Sequence, residues 1–274
     1  MDFGTSAIVV CMKSPRTAPR LSAVRLFRYG YRLPWLLLHL LLGLPLVLLA
    51  MLPPWRGWQW GGQPLEHRAV RLWSAGLLRV FGLRVRGYGQ PLPGGVLMVA
   101  NHVSWVDIEM VHSQLLVGFV AKAEIAGWPL VGWLAARGQT IFHQRGSTES
   151  LGGVVDEMTQ RLRQQRPVAV FPEGRTRSGH EVGPFHARIF SCAVDAQVPV
   201  QPVALRYGVG GQAQSVVAFG PNESFVANFI RLLGEPSCPA EVHFLAPIAP
   251  GELEGRRQIA ELARARIVAA MSTP

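Results

Sequence analysis

Cysteine and lysine are the scarce residue types in this chain of 274 residues. Its three cysteines, Cys11, Cys192 and Cys238, stand far apart, so they predict free thiols in a reducing compartment and no disulfide framework. Only Lys13 and Lys122 are lysines among the 27 basic residues, so arginine carries nearly all of the positive charge. Arginine presents a planar set of donors that matches phosphate and other oxyanions.

Several widespread catalytic and cofactor motifs are also missing. The sequence has no Walker loop, no Gly-x-Ser-x-Gly elbow, no His-Glu-x-x-His helix and no zinc-ligand spacing. We therefore expect neither a metal ion nor a bound cofactor. Residues 208–213 (Gly-Val-Gly-Gly-Gln-Ala) approach a dinucleotide-binding fingerprint, but residues 215–219 predict a strand where that motif requires a helix. A hairpin turn is the expected structure there.

A net charge of +10 indicates a partner rich in phosphate, which is either nucleic acid or a membrane surface. The chain has no aromatic and basic RNA-binding run and no basic cluster on a plausible recognition helix. Residues 33–52, in contrast, form an apolar run of about twenty residues without a formal charge, which is the length of a membrane segment. The arginines that flank this run are Arg20, Arg25, Arg28, Arg32 and Arg56. We therefore predict a membrane partner and no nucleic acid.

The position of the basic flank creates a conflict about how this run meets the membrane. An arginine-rich amino end favours a cytoplasmic start, so a single crossing would place the rest of the chain outside. However, Pro34 and Pro45 interrupt the run, and the sequence Gly43-Leu44-Pro45 near its middle is a plausible bend. We hypothesise a half-immersed helical hairpin with both ends in the cytoplasm, and a full span is the alternative.

Aromatic and amphipathic segments follow the apolar run. Trp55, Trp58 and Trp60 come directly after it, where interfacial aromatic residues are expected. Residues 66–83 alternate arginines with large apolar side chains, which predicts an amphipathic helix lying at the membrane interface. The alternative is a helix that packs one face on the core of the following domain.

An Asn-His-Val-Ser-Trp-Val-Asp segment at residues 101–107 follows a short apolar run at residues 96–100. The run predicts a buried strand, so Asn101 lies at its carboxyl end, where open α/β sheets bind their ligands. If a helix begins after His102, Asp107 can accept the Nδ1 proton of His102 and leave Nε2 as a proton acceptor. Such a pair can activate an alcohol. By itself the spacing also fits a helix-capping Asp107 beside a partly buried histidine.

Three further segments favour a site. Residues 168–179 form an apolar strand followed by a polar loop with one carboxylate, two guanidinium groups and hydroxyls, which suits an anionic ligand or an exposed turn. Residues 138–146 form a short strand that ends at Arg145, which is either a ligand or a solvated surface residue. Residues 198–205 carry two prolines in a β-branched run and predict an irregular strand beside a cavity.

In this order, the four blocks resemble the lysophospholipid acyltransferase family of the glycerolipid acyltransferases, over roughly residues 70–250. The resemblance implies that His102 is the general base and Asp107 its orienting carboxylate. It further implies that Arg145 binds the phosphate or other anionic head group of the acceptor. The other residues that it places at the substrate site are Lys122, Glu173, Gly174, Arg175 and Thr176.

The implied chemistry is acyl transfer from a thioester to a hydroxyl, with acyl-CoA or acyl carrier protein as co-substrate. We predict direct transfer, in which His102 takes the hydroxyl proton and later returns it to the departing thiol. A covalent route would need Ser104, the only hydroxyl close enough in sequence, or the more remote Cys192 as nucleophile. Backbone amides near Val200 or at the helix start are candidates for stabilising the oxyanion.

The predicted fold is α/β, with a mixed and mostly covered sheet, flanking helices and an N-terminal membrane-embedded helical segment. Helices are expected at residues 149–164 and 251–270, and a strand at residues 241–245. Residues 1–65 are assigned to a basic arm and membrane anchor, and residues 66–274 to the catalytic domain. We expect the catalytic domain on the cytoplasmic side of the inner membrane, where activated acyl donors occur.

Three functions fit this interpretation. The first is acylation of 1-acyl-sn-glycerol-3-phosphate to phosphatidic acid, and the second is acylation of another anionic lysolipid such as lyso-ornithine lipid. The third is a catalytically silent lipid-binding protein of the same fold, which would be expected to have lost His102 or Asp107.

Overall fold

The computed structural model describes residues 22–53, 55, 57–128, 131–143 and 148–272. It begins with one continuous helix from Ala23 to Ala50, made of α1 (Ala23–Leu38), one π-helical turn (His39–Gly43) and α2 (Leu44–Ala50). The hypothesis of a helical hairpin within residues 33–52 is therefore wrong. Pro45 falls in the first turn of α2, and the wider π-helical turn before it accommodates the missing N–H without reversing the chain.

Helix α3 (Leu65–Val80) packs antiparallel to this long helix. His39 stacks on Trp73 and its Nε2 lies 3.0 Å from the carbonyl oxygen of Trp73, while Val47 and Val70 pack in one cluster. The crossing requires glycine, because a Cβ at Gly76 would lie 2.6 Å from the His39 ring. Between the two helices, the chain forms a small antiparallel hairpin of β1 (Gln59–Trp60) and β2 (Gln63–Pro64).

By length and composition, the helix from Ala23 to Ala50 is the one described helix that could cross a membrane. Its 28 residues extend over about 42 Å at 1.5 Å per residue, more than the roughly 30 Å of a bilayer core. Helix α3 packs one of its faces on the rest of the chain, because Leu77 and Leu78 belong to the main core. The core-facing alternative for residues 66–83 is the one that the structure shows, with Leu72 as the strongly exposed large apolar side chain of α3.

A seven-stranded sheet forms the centre of the rest of the chain, in the order β3-β9-β8-β4-β7-β5-β6. Neighbouring strands are parallel except β8 and β9, which are antiparallel. The strands are β3 (Leu83–Tyr88), β4 (Leu97–Ala100), β5 (Gly118–Lys122), β6 (Ile141–His143), β7 (Val168–Val170), β8 (Val200–Tyr207) and β9 (Cys238–Phe244). The carboxyl ends of β4, β7, β5 and β6 therefore meet at one edge.

Helices cover both faces of this sheet. The alternating residues of β4 show the division: Met98 and Ala100 belong to one apolar cluster, and Leu97 and Val99 to the other. All four residues of β4 are buried, as expected for a strand covered on both sides. The helices after α3 are α4 (Val106–His112), α5 (Val131–Arg137), α6 (Thr148–Arg163), α7 (Ser191–Ala196), α8 (Gln214–Val217), α9 (Phe225–Leu233) and α10 (Gly255–Ser272). The mixed, covered sheet predicted from the sequence is confirmed.

Arginines of α1 fix the long helix to the carboxyl end of α9. Arg32, 2% exposed, donates to the carbonyl oxygens of Leu233 and Glu235 at 3.0 and 2.8 Å, and Arg25 donates to that of Arg231 at 2.9 Å. The last carbonyls of a helix have no partner within the helix, so these guanidinium groups satisfy them. Arg25 and Arg32 therefore hold the fold together and are not free charges flanking a membrane segment.

Two local expectations fail. We expected a hairpin turn at residues 208–213, and the structure has a single 3₁₀ turn there (Val209–Gly211). We expected a strand at residues 215–219, and these residues fall largely in the short helix α8. Residues 198–205 do not form an irregular strand, because β8 is a regular, fully buried strand. The missing N–H of Pro202 is compensated there, since the side-chain amide of Gln201 donates to the carbonyl oxygen of Leu245 at 3.4 Å. The expected elements at residues 149–164, 241–245 and 251–270 correspond to α6, β9 and α10.

Candidate active site at the carboxyl end of β4

Asn101 and His102 follow directly after β4, at the sheet edge where ligands of α/β proteins bind. The buried side chain of Asn101 fixes this position, because its amide donates to the carbonyl oxygen of Leu205 at 3.0 Å and its Oδ1 accepts the Leu205 N–H at 2.8 Å. The end of β4 is thereby tied to the neighbouring strand β8. His102 is consequently presented from a rigid backbone.

The structure brings His102 and Asp107 together as their spacing predicts. The distance from His102 Nδ1 to Asp107 Oδ2 is 2.7 Å, and the carboxylate is fully buried. The same oxygen accepts the backbone N–H groups of Val103 and Ser104 at 2.7 and 2.9 Å, so Asp107 also closes the turn that leads into α4. An ionised carboxylate can only accept, so Nδ1 carries the hydrogen and Nε2 has the free lone pair.

A stack of aromatic rings sets the plane of the imidazole. The ring of His102 lies parallel to that of Phe171, with centroids 3.9 Å apart and an interplanar angle of 10°, and Phe171 in turn stacks on Phe119 at 5.3 Å. Phe171 follows β7 directly and Phe119 is the second residue of β5, and these two strands are the next ones along the sheet. Together with Asp107, they fix both the position and the orientation of the histidine.

Glu173, which the resemblance placed at the substrate site, lies beside His102 and is engaged in hydrogen bonds within the fold, and its role in binding substrate stays a prediction. It is 2% exposed, and its two carboxylate oxygens accept the backbone N–H groups of His102 and Gly183 at 2.9 and 2.7 Å. Arg177 lies 3.4 Å from the same carboxylate. Burial raises the pKa of the Glu173 carboxyl group, while the two amides and Arg177 act in the opposite direction. In this position Glu173 connects the loop that carries His102 with two parts of the loop after β7.

A cavity of about 300 Å³ opens beside His102, between the loop after β7 and the last turns of α10. Both polar and apolar side chains line it, and two of the polar ones are arginines. The lining residues that bear on function are His102, Glu173, Arg177, His180, Arg264 and Met271. Arg264 is held there because it donates to the carbonyl oxygens of Val182 and Gly183.

The other predicted substrate residues do not line this cavity. Gly174, in the left-handed region with φ of +70°, turns the chain after Phe171 and packs against His186, and Arg175 is exposed. Thr176 is half-buried. Lys122, at the end of β5, makes a 2.8 Å ion pair with Glu124. For these four residues, a role in binding substrate stays a prediction.

Arg145, the predicted ligand of the head group, lies outside the described residues. It follows β6, whose carboxyl end lies at the same sheet edge as that of β4. Three strand spacings separate β6 from β4, which is about 14 Å. A head-group role for Arg145 also stays a prediction.

Both alternative nucleophiles are poorly placed for a covalent route. Ser104 is fully buried, and its hydroxyl lies 3.4 Å from Asn228 Oδ1. Burial raises the pKa of the Cys192 thiol to about 12, so it is protonated at neutral pH. The geometry therefore favours direct transfer through His102.

Three of the backbone amides considered for the oxyanion are engaged within the fold. Val103 and Ser104 donate to Asp107, and the N–H of Val200 donates to the carbonyl oxygen of Ile248 at 3.0 Å. Stabilisation of the oxyanion by another amide at the start of α4 or near Val200 stays a prediction. In the described part of the chain, no group of three or more His, Cys, Asp or Glu residues could hold a metal ion.

Sequence analysis did not single out Tyr207 or Arg264. The hydroxyl of Tyr207 donates to Asp107 Oδ1 at 2.5 Å from the end of β8. Tyr207 is the last residue of β8, and the two prolines at residues 198–205 had already drawn attention to this strand. The strand was therefore noticed in the sequence, although the tyrosine was not. Arg264 lies on α10 among several other arginines, and nothing in its local sequence distinguishes it.

The chain is similar to known acyltransferases. A family model described as Acyltransferase matches residues 83–206. The chain is 35% identical over 201 residues to a lyso-ornithine lipid O-acyltransferase of Pseudomonas aeruginosa, covering 73% of this chain and 76% of that protein. It is 37% identical over 154 residues to a 1-acyl-sn-glycerol-3-phosphate acyltransferase of Neisseria gonorrhoeae, covering 56% of this chain and 60% of that protein.

A solved structure has the same fold. The crystal structure of the 1-acyl-sn-glycerophosphate acyltransferase PlsC from Thermotoga maritima superposes with a TM-score of 0.65, covering 91% of this chain and 98% of that chain. At 17% sequence identity, this likeness concerns the fold alone. With the extended match to the Pseudomonas aeruginosa protein, the predicted family is confirmed, and the chain belongs to the lysophospholipid acyltransferases of the glycerolipid type, enzymes that transfer acyl groups to lysolipid hydroxyls.

Proposed function

We propose that the protein transfers a fatty acyl group from a thioester to the free hydroxyl of an anionic lysolipid, with His102 as general base. The observation that carries this proposal is the position of His102 beside an open cavity, with Nδ1 held by the buried Asp107. Nε2 is then the nitrogen with a free lone pair, as a base acting on an alcohol requires.

The reaction needs one proton to move to His102 and back. Nε2 takes the proton of the lysolipid hydroxyl while the hydroxyl oxygen attacks the thioester carbonyl carbon and forms a tetrahedral intermediate. The carbon–sulfur bond then breaks, and Nε2 returns the proton to the departing sulfur. Asp107 stabilises the imidazolium that exists between the two steps. This scheme uses neither Ser104 nor Cys192.

The cavity supports an acceptor with an anionic head group. Arg177 and Arg264 line it close to His102, and arginine binds phosphates and carboxylates with two parallel hydrogen bonds. Of the two acceptors, lyso-ornithine lipid is favoured by the match over 73% of the chain to a protein of that activity. The shorter match to the Neisseria gonorrhoeae protein makes 1-acyl-sn-glycerol-3-phosphate the second candidate.

We also infer that the enzyme works at a membrane, with its catalytic part on the cytoplasmic side. The helix from Ala23 to Ala50 exposes a broad apolar surface that includes Phe27, Leu41 and Leu46, and Trp55 and Trp58 follow it. The arginines of α1 and the pairing with α3 attach both ends of this helix to the same globular part. This arrangement supports a membrane-associated helix that is attached to the globular part at both ends rather than an isolated crossing.

The test is an activity panel with the purified protein. Lyso-ornithine lipid, 1-acyl-sn-glycerol-3-phosphate and a neutral lysolipid are each offered with acyl-CoA and with acyl carrier protein, and the products are measured by mass spectrometry. We expect one of the two anionic acceptors to be acylated and His102→Ala to lower turnover at least ~100-fold. His243→Ala, which removes a histidine paired with Glu241 on β9, is the matched control. Failure of every acceptor, or full activity of His102→Ala, would refute the proposal.

A further inference from the structure

Tyr207 ends β8 and lies at the bottom of the candidate active site. Its side chain is fully buried, and its hydroxyl lies 2.5 Å from Asp107 Oδ1. Oδ2 of the same carboxylate accepts the His102 Nδ1 proton and the two backbone amides. The phenol is thus the partner of the carboxylate oxygen that faces away from the histidine.

The direction of this hydrogen bond follows from the surroundings. Burial raises the pKa of the Tyr207 hydroxyl well above its usual value of 10, and the negative charge of Asp107 adds to the effect. The phenol therefore stays protonated at every pH at which the enzyme works. A protonated phenol beside an ionised carboxylate donates its hydrogen to it.

We infer that Tyr207 is a positioning residue that sets both the orientation of Asp107 and the basicity of His102. This inference rests on the proposed role of His102. A hydrogen bond to Oδ1 prevents the carboxylate from rotating, so that Oδ2 stays aimed at Nδ1. It also draws negative charge toward Oδ1, and a carboxylate with less charge on Oδ2 attracts the imidazole proton less strongly.

Other charged or titratable groups line the cavity beside His102 from two elements, namely Glu173, Arg177, His180 and Glu181 from the loop after β7 and Arg264 from α10. Glu173 approaches from the loop after β7, although both of its oxygens are engaged by backbone amides. Arg177, from the same loop, lies against Glu173. Phe171, whose ring stacks on the imidazole of His102, is uncharged. Asp107 is therefore the charged group in direct contact with the imidazole. Apart from His102, Tyr207 is the side chain that donates a hydrogen bond to Asp107.

Tyr207→Phe tests the inference because it keeps the ring and removes only the hydroxyl. We expect kcat to fall about tenfold, the value of one hydrogen bond to a charged group, with the KM of the acceptor changed less than twofold. Without the donor, Asp107 holds the imidazole proton more tightly. The acid limb of the pH profile of kcat/KM and the NMR titration of the His102 ring nitrogens should therefore move to higher pH. Tyr88→Phe, on the exposed Tyr88 of β3, is the matched control.

A second variant tests the same bond in the opposite direction and covers the case in which Tyr207→Phe does not fold. Replacing Tyr207 with 3-fluorotyrosine leaves its shape almost unchanged and makes the phenol a stronger donor. The acid limb and the His102 titration should then move to lower pH. Combined with Asp107→Asn, Tyr207→Phe should cause little further loss, since both changes break the same chain of hydrogen bonds.

Two results separate this inference from the proposed function. If both Tyr207 variants leave the His102 titration unchanged and alter only the thermal midpoint, Tyr207 has a merely structural role and the inference is overturned. In that case, the loss of activity in His102→Ala would still support the proposed acyl transfer. If the wild-type protein acylates no lysolipid, the proposed function fails, while the NMR titration still decides whether Tyr207 controls the basicity of His102.

Discussion

Among the described residues, two histidine–carboxylate pairs with nearly equal nitrogen–oxygen distances lie in different parts of the sheet. His102 Nδ1 lies 2.7 Å from Asp107 at the end of β4, and His243 Nε2 lies 2.9 Å from Glu241 within β9. Each imidazole also stacks on an aromatic ring, at 3.9 Å for His102 and 4.6 Å for His243. A short distance between a histidine and a carboxylate therefore does not by itself identify an active site.

The surroundings of the two carboxylates differ. Asp107 is fully buried and accepts four hydrogen bonds, whereas the side chain of Glu241 is 22% exposed and lies 3.7 Å from Arg206. The engaged nitrogen also differs, because His243 uses Nε2 and His102 uses Nδ1. The His102 pair thus has a fully buried carboxylate and a histidine that lines the cavity, whereas the carboxylate of the His243 pair is partly exposed. The comparison predicts that only the first pair matters for turnover.

The strongest test removes the negative charge from each pair in turn. Asp107→Asn should lower kcat about 100-fold, because an amide can no longer stabilise the imidazolium or hold the correct tautomer. Glu241→Gln should change kcat less than twofold. Both variants are assayed with the acceptor and donor that the wild-type protein uses best.

Folding must be checked separately, because Asp107 also closes the turn before α4. Thermal unfolding should show that Asp107→Asn remains folded at the assay temperature, and the far-UV circular dichroism spectra should overlay. Equal losses of activity in Asp107→Asn and Glu241→Gln would contradict the comparison, since they would indicate that neither pair is special.

The parts of the site that could be predicted are the local ones. His102 and Asp107 are five residues apart, so the end of one strand and the first turn of one helix suffice to bring them together. Tyr207, in contrast, is 100 residues away in sequence from Asp107, to which its hydroxyl donates. The two backbone amides that donate to Glu173 belong to residues 71 and 10 positions away from Glu173. Local sequence patterns carry no information about contacts between residues so far apart, so the hydrogen bonds of Tyr207 and Glu173 could not be predicted from them.

The fold shows the same limit. Buried parallel strands were predicted because they are continuous apolar runs, as β4 and β7 are. The hairpin within residues 33–52 was predicted from prolines and arginine charges, but the partners of Arg25 and Arg32 lie about two hundred residues away. Residues 215–219 look like a strand by composition. Their helical conformation follows from the buried Gln214, which donates to the carbonyl oxygen of Leu205 and fixes the start of α8.

Glu173, whose carboxylate accepts the backbone N–H of His102, allows a second test with a smaller expected effect. Glu173→Gln replaces one acceptor oxygen by an amide group, so the N–H of either His102 or Gly183 loses its partner in a buried place. We expect about 2 kcal/mol of lost stability and a fall in kcat of roughly tenfold, because the backbone of His102 moves. Glu181→Gln, at an exposed residue of the same loop, should change stability by less than about 0.5 kcal/mol. Wild-type stability and activity in Glu173→Gln would contradict the connecting role.

The smallest expected effect concerns Glu223, whose titration must be separated from that of His102 in any pH profile. Although partial burial raises its pKa, the side chains of Arg231 and Asn228 and the Gly220 N–H lower it to about 2. A lowered carboxyl pKa adds stability above the unfolded value near 4.5, and this stability is lost as the pH falls through about 2. Glu223→Gln should therefore lower the thermal midpoint by about 3 °C at pH 7, and the difference should vanish between about pH 4.5 and 2. A constant difference across that range would show that the Glu223 charge contributes nothing. The expected result would mean that Glu223 stays ionised above about pH 4.5, so that its own titration does not contribute to a change of activity in that range.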